Sequence, residues 1–159
     1  MKRIITVSIS LLILFTLVGC GSDTGTNNAV TDNTGTNVAT SDDPKEGIKL
    51  KTEAIVKDMQ STSLKSIQVN DDAGRGTGYI VLVNLSFDAK NKPKTSKEMI
   101  DLHNSKLGEE LAKIKDIQEI AVFWEVPYLN DSGNIAKANL QREGETMVFK
   151  EKWYAPVFK

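Results

Sequence analysis

Residues 21–44 read GSDTGTNNAVTDNTGTNVATSDDP, a stretch with no aromatic residue and no Lys or Arg. Thr, Asn, Gly, Asp and Ser dominate it, and Thr-Gly-Thr-Asn occurs twice, at residues 24–27 and 34–37. So polar a segment cannot bury enough apolar surface to offset the entropy lost on ordering. It is expected to be a disordered tether, and as a coil its 24 residues would separate their ends by roughly 27 Å. A fold is therefore confined to residues 45–159, a stretch of 115 residues that suits one modest core.

Upstream of the tether, Lys2 and Arg3 precede an apolar run over residues 4–18, which is 15 residues long against the ~20 that span a bilayer core as a helix. A short basic segment, a short apolar segment and a small residue before a cut form the secretory signal pattern. The run closes on Leu17-Val18-Gly19-Cys20, and Cys20 is the only cysteine in the chain. These residues resemble the lipobox of bacterial lipoprotein precursors. The resemblance implies cleavage between Gly19 and Cys20 and a diacylglycerol on the Cys20 sulfur. It also implies a cell-membrane location, with the domain on the extracytoplasmic side. Two acyl chains anchor stably because each buried CH₂ contributes ~0.8 kcal/mol, whereas one chain is marginal. With Cys20 acylated, no thiol is left for a disulfide, a metal or a nucleophile. The expected organisation is a signal peptide over 1–19, a lipidated cysteine and tether over 20–44, and a single domain over 45–159.

Charge excludes one class of partner. The tether carries −4 from Asp23, Asp32, Asp42 and Asp43, while residues 45–159 hold 18 basic and 17 acidic side chains, a net +1. Nucleic acid calls for a basic face, which this balance does not supply. Nor is there a polybasic patch for lipid headgroups, so membrane attachment is assigned to the lipid on Cys20.

Within the domain, Ile48, Ile55, Val56 and Met59 recur at near-helical spacing and predict a helix over about 49–60. Residues 66–70 read as a short strand with Ile67 and Val69 on one face. Asp71-Asp72-Ala73-Gly74-Arg75-Gly76-Thr77-Gly78 is a turn-rich loop. It lacks the Gly-Lys-Ser/Thr of a phosphate cradle and the ligand ladder of an EF-hand, so it reads as a hairpin loop. Residues 79–88 give the clearest strand, with Val81, Val83, Leu85 and Phe87 alternating. Thr95-x-x-Glu98 has the form of a capping box, opening a helix with Met99, Ile100, His103, Leu107, Leu111 and Ile114 on one stripe. Gly108 lies within that helix and is expected to admit a close neighbour.

Residues 120–128 form the second strong strand, with Ile120, Val122, Trp124, Val126 and Tyr128 assigned to the core face. Pro127 places the strand's end at an edge or a bulge. Residues 130–134 are a turn by composition, residues 136–142 return as a strand, and Glu143-Gly144 turns into a last strand over 145–154. There Met147, Phe149 and Trp153 are expected to share a face. The order helix, strand, strand, helix, strand, strand, strand predicts an α+β domain in two layers. An antiparallel sheet of about five strands would carry both helices on one face.

Three function classes follow. For catalysis, Asp71, Asp72, Asp88, Glu125 and Asp131 are the acid/base candidates, but nothing in their spacing converges. No nucleophile motif, dinucleotide fingerprint or metal-ligand cluster accompanies them. No catalytic residue, metal or cofactor is assigned, and His103, the sole histidine, reads as a packed side chain on the apolar stripe. For small-ligand or cell-wall binding, the domain offers one small lobe. The favoured class is a binding module for an envelope or incoming protein, such as an inhibitor, an immunity or exclusion protein, or an accessory to an envelope complex. Held on a leash at the membrane, it would gain from effective concentration. The candidate partner surface comprises Tyr128, Asn130, Asp131, Trp153 and Tyr154, because exposed Tyr and Trp are favoured anchors. Residues 65–155, with stretches such as Ala121-Val122-Phe123-Trp124-Glu125-Val126-Pro127, resemble small domains of uncharacterised secreted bacterial proteins; that resemblance brings no activity.

Overall fold

A computed structural model describes residues 43–159. The expected signal segment, the lipobox with Cys20 and nearly all of the tether lie outside the described residues. The elements are α1 (Pro44–Lys57), β1 (Thr62–Asp71), β2 (Tyr79–Phe87), α2 (Pro93–Ala112), β3 (Ile117–Glu125), β4 (Ala136–Glu143) and β5 (Thr146–Tyr154), followed by a 3-10 turn at Pro156–Phe158. No helix among the described residues is long and apolar enough to cross a membrane.

Both helices begin earlier than periodicity alone suggests, because proline starts each one. Pro44 and Pro93 occupy first-turn positions where a missing N–H costs nothing and the fixed φ is already helical. Asp43 caps α1 by accepting from the Lys45 N–H at 2.9 Å. In α2 the cap is Lys92, with no side-chain hydrogen bond. Thr95 therefore lies inside the first turn, and the expected capping box does not form. At the other end of α2, Arg142 of β4 donates to the carbonyls of Ala112 (3.1 Å), Ile114 (2.8 Å) and Ile117 (2.6 Å). The Ala112 carbonyl is one that a helix terminus leaves without an intrahelical partner, and the other two tie the helix end to the start of β3.

The five strands form one open sheet in the order β1-β2-β3-β4-β5. The α+β class with a five-stranded sheet is as expected, but the sheet is mixed. Three ladders are antiparallel, whereas β2 and β3 pair in parallel, from Tyr79↔Ile117 to Ser86↔Glu125. The cause is α2: a helical crossover returns the chain to the same end of the sheet, which no hairpin does.

Both helices cover one face. Val81, Val83, Leu85 and Phe87 of β2, Ile120, Val122 and Trp124 of β3, and Ala136, Ala138 and Leu140 of β4 point into that layer. They meet Ile48, Ile55 and Val56 of α1 and Ile100, Leu107 and Leu111 of α2. Trp124 is fully buried, and its indole N–H donates to Asn104 Oδ1 at 2.8 Å. Gly108 does admit a neighbour: a Cβ there would stand 2.6 Å from Leu140 Cδ2.

One irregularity redirects the last strand. Leu140 pairs with Phe149 and Asn139 with Glu151, so Lys150 has no residue opposite it. Such a bulge reverses the alternation beyond it. Met147 and Phe149 lie on the helix side, but so do Lys152 and Tyr154, both of which bond Asp101 of α2. Trp153 consequently faces the other way and does not share a face with Met147 and Phe149.

Candidate binding face

The face of the sheet turned away from the helices is left open by the described residues. Cross-strand register sets it out in rows. One row runs Ser66, Asn84, Phe123, Lys137, Trp153; the next runs Gln68, Leu82, Ala121, Asn139, Glu151; a third runs Asn70, Ile80, Glu119, Gln141, Val148. Trp153 is 46% exposed. Gln68, Asn70 and Glu151 are exposed as well, while Leu82, Phe123, Asn139 and Gln141 are half-buried. The strands place these groups by simple alternation: each is the neighbour of a core residue, turned to the opposite side.

The charges on this face are paired off. Arg75 reaches Glu119 at 3.4 Å, Lys65 meets Glu125 at 3.5 Å and Lys137 meets Glu151 at 3.4 Å. Glu119 also accepts from Asn139 (2.7 Å) and Gln141 (3.2 Å). The Lys137 ammonium sits 5.9 Å from the Phe123 ring centroid, within cation–π range. The result is a platform of amides and two aromatic rings with no charge left uncompensated at its centre.

Arg75 is itself held from below. Asp72, 3% exposed, accepts from the backbone N–H groups of Gly74 and Arg75 at 3.1 Å and from the Arg75 guanidinium. That hydrogen-bonded cation holds the Asp72 carboxyl below the usual carboxylate range. Asp72 is thus committed to shaping the β1–β2 loop.

On the helix side, Asp101 gathers three donors: Tyr154 at 2.6 Å and Lys97 and Lys152 at 2.9 Å. Burial pushes its pKa up, but these donors outweigh that and leave it lowered. Burial and the bond to Asp101 push the Tyr154 phenol up. Lys97 stacks 4.1 Å from the Tyr154 ring and Lys152 stacks 4.0 Å from Phe149. This cluster ties the C-terminal strand to α2. Beside it a groove of about 450 Å³ runs between α2 and β5, floored by Leu140, Met147 and Phe149 and rimmed by Ser105, Glu109 and Lys113.

His103 is packed in the stripe, 5% exposed, stacked on Trp124 at 6.0 Å and bonded through Nε2 to the Gln60 carbonyl at 3.2 Å. Burial lowers its pKa, and the nearby Lys106 ammonium adds to the effect. A base whose folded pKa lies below its unfolded one destabilises the fold when it must take up a proton. That cost is absent above the unfolded value near ~6.5 and grows as pH falls through it. We expect the melting temperature to fall between pH 7.5 and 5.5, and His103→Phe to flatten this dependence. A wild-type melting temperature constant over that range would refute the assignment.

The five residues expected to form a partner surface are separated by the fold. Trp153 lies on the open face. Tyr154 turns to the helix side, 5.7 Å from Phe158 in an edge-on contact. Tyr128 bonds Ser96 of α2 through its hydroxyl, Asn130 donates to the Ser132 carbonyl, and Asp131 is exposed on the loop between β3 and β4. The acidic candidates do not converge either. Asp71 pairs with Lys45, Asp72 with Arg75 and Glu125 with Lys65, while Asp88 accepts from Ser63 and Ser86. Among the described residues no group of His, Cys, Asp and Glu is arranged to hold a metal. What the sequence reading passed over is Phe123 and the amide rows. Their signal was present as the polar half of each strand's alternation.

The described residues form an α+β domain in which they cover one sheet face and leave the other open. No protein-family model, no curated protein and no solved structure matches it.

Proposed function

We propose that this protein is a lipid-anchored bacterial binding module that presents the open sheet face on the extracytoplasmic side of the membrane. The single observation behind the reading is that face: half of a five-stranded sheet, with a 46% exposed Trp153, has no covering layer among the described residues. An exposed large aromatic ringed by satisfied polar groups is the usual make-up of a binding hot spot. The position of α1 supports the same reading. Its N-terminus lies beside the β1–β2 loop, with Lys45 bonded to Asp71 at 2.8 Å. The row holding Phe123 and Trp153 lies toward the opposite end of the sheet, where β3 and β5 finish. A tether entering at Asp43 would hold that row away from the membrane. The partner is an envelope or incoming protein or a cell-wall component. The groove between α2 and β5, with its apolar floor, favours a small ligand as a second reading.

Crosslinking in cells tests the proposal, with a photo-reactive residue at Val148 and the native anchor retained. Capture of one discrete envelope component supports it, and capture of nothing by Val148 or by the exposed Asp131 refutes it. The anchor is tested separately. Cys20→Ala is expected to move the protein from the membrane fraction to the soluble or unprocessed fraction. A variant that stayed processed and membrane-bound would exclude acylation at Cys20.

A further inference from the structure

We infer that the occupant of the open face is a neutral, unbranched glycan strand lying across β3, β4 and β5 over Phe123 and Trp153. This rests on the binding-module reading and narrows it to one partner chemistry. Charge is the first argument. Glu119, Glu125 and Glu151 are each paired with a cation, namely Arg75 of the β1–β2 loop, Lys65 and Lys137, at 3.4–3.5 Å. A charged partner would find these charges already compensated, whereas a neutral one needs no free charge on the face. A single-stranded nucleic acid, which also stacks on sheet aromatics, needs a basic groove that is not here.

Spacing is the second argument. Phe123 and Trp153 stand in one row, on β3 and β5, with Lys137 of β4 between them. Two strand spacings make about 10 Å. In an extended β-1,4-linked chain each sugar is turned over relative to the last, so alternate sugars present the same face. The two rings suit two such sugars with one intervening, each stacking its C–H face on the ring.

The third argument is the hydrogen-bonding inventory. Gln68, Asn70, Asn84, Asn139 and Gln141 share the platform. A primary amide offers donors and an acceptor together, which matches hydroxyl and acetamido groups that do the same. The exposed Gln68 and Asn70 extend this surface to β1, so a longer strand continues across the sheet.

The test uses the full chain in mild detergent, titrated with chitohexaose and cellohexaose. Isothermal titration calorimetry reads binding in the parent and in every variant, and in the parent a blue shift of tryptophan emission places the sugar at Trp153, since Trp124 is already fully buried. Trp153→Ala should weaken binding at least tenfold, Phe123→Ala should weaken it as well, and Leu102→Ser, on α2, should leave it unchanged. Circular dichroism melts of all three variants check that the fold persists. Saturable binding lost in Trp153→Ala establishes the inference. If neither sugar binds at millimolar concentration while Val148 crosslinks a discrete protein, the glycan is wrong and the binding module stands. If neither sugar binds and nothing is crosslinked, both fall.

Discussion

Replacing Trp124 with alanine should cost about 4–8 kcal/mol and leave the domain largely unfolded at 37 °C. Two losses add. The first is the cavity left by a side chain with no exposed surface, which for large aromatics costs ~3–5 kcal/mol. The second is the bond to Asn104, which is 1% exposed and whose Nδ2 already has no partner among the described residues. Losing Oδ1's partner too adds roughly 1–3 kcal/mol. The two parts are separable. Trp124→Phe keeps most of the apolar volume and breaks only the bond, and adding Asn104→Leu removes the stranded amide. The double variant should be more stable than Trp124→Phe alone, because replacing both partners of a buried bond with apolar groups is nearly neutral. Denaturant melts decide this, and a double variant at or below the stability of Trp124→Phe would show that the bond carries little.

The second large effect belongs to Gly78→Ala. Gly78 has φ +87°, a conformation that a side chain resists. A Cβ there would also stand 2.5 Å from the Asp116 carbonyl oxygen, which is backbone and cannot swing away. That same oxygen accepts from the Tyr79 N–H at 2.7 Å, beside the irregular Tyr79/Ile80 step of the parallel ladder. Strain of about 1–2 kcal/mol from the dihedral and a further ~1–3 kcal/mol of overpacking should lower the melting temperature by roughly 10 °C or more. Gly76→Ala is the control: its φ is +77° with open space around the site, so only the dihedral strain applies. Equal destabilisation by the two would argue that Asp116 yields without cost.

Strong alternation made β2 and β3 readable: Val81, Val83, Leu85 and Phe87 on one strand, Ile120, Val122 and Trp124 on the other, all buried as expected. The stripe on α2 and the role of Gly108 were equally plain, since both follow from helical periodicity and the lack of a Cβ. Three features were not. Periodicity marks a helix by its apolar residues, so it missed the starts at Pro44 and Pro93, which depend on backbone rather than burial. Strand direction depends on which end of the sheet a crossover reaches, and residue patterns within β2 and β3 do not encode it. The bulge at Lys150 depends on the pairing of two strands, so the alternation read from β5 alone put Trp153 on the wrong side. For the same reason the open face was only half legible. Its polar positions were visible strand by strand, but the row joining Phe123 to Trp153 exists only once register is known.

The parallel ladder has a consequence for how the chain becomes this fold. β1–β2 and β4–β5 close through short turns, so each forms from contacts near in sequence. β2 and β3 meet only after all of α2 has been spanned, and closing so long a loop must precede any reward from pairing. Until that seam shuts, the exposed edges belong to β2 and β3, whose Ile80–Leu85 and Ile120–Trp124 segments are the most apolar runs of the described domain. An unpaired edge of that kind is a template for association with another chain. Each hairpin pairs early but is marginal by itself, and the window of greatest risk is the interval before the two halves join.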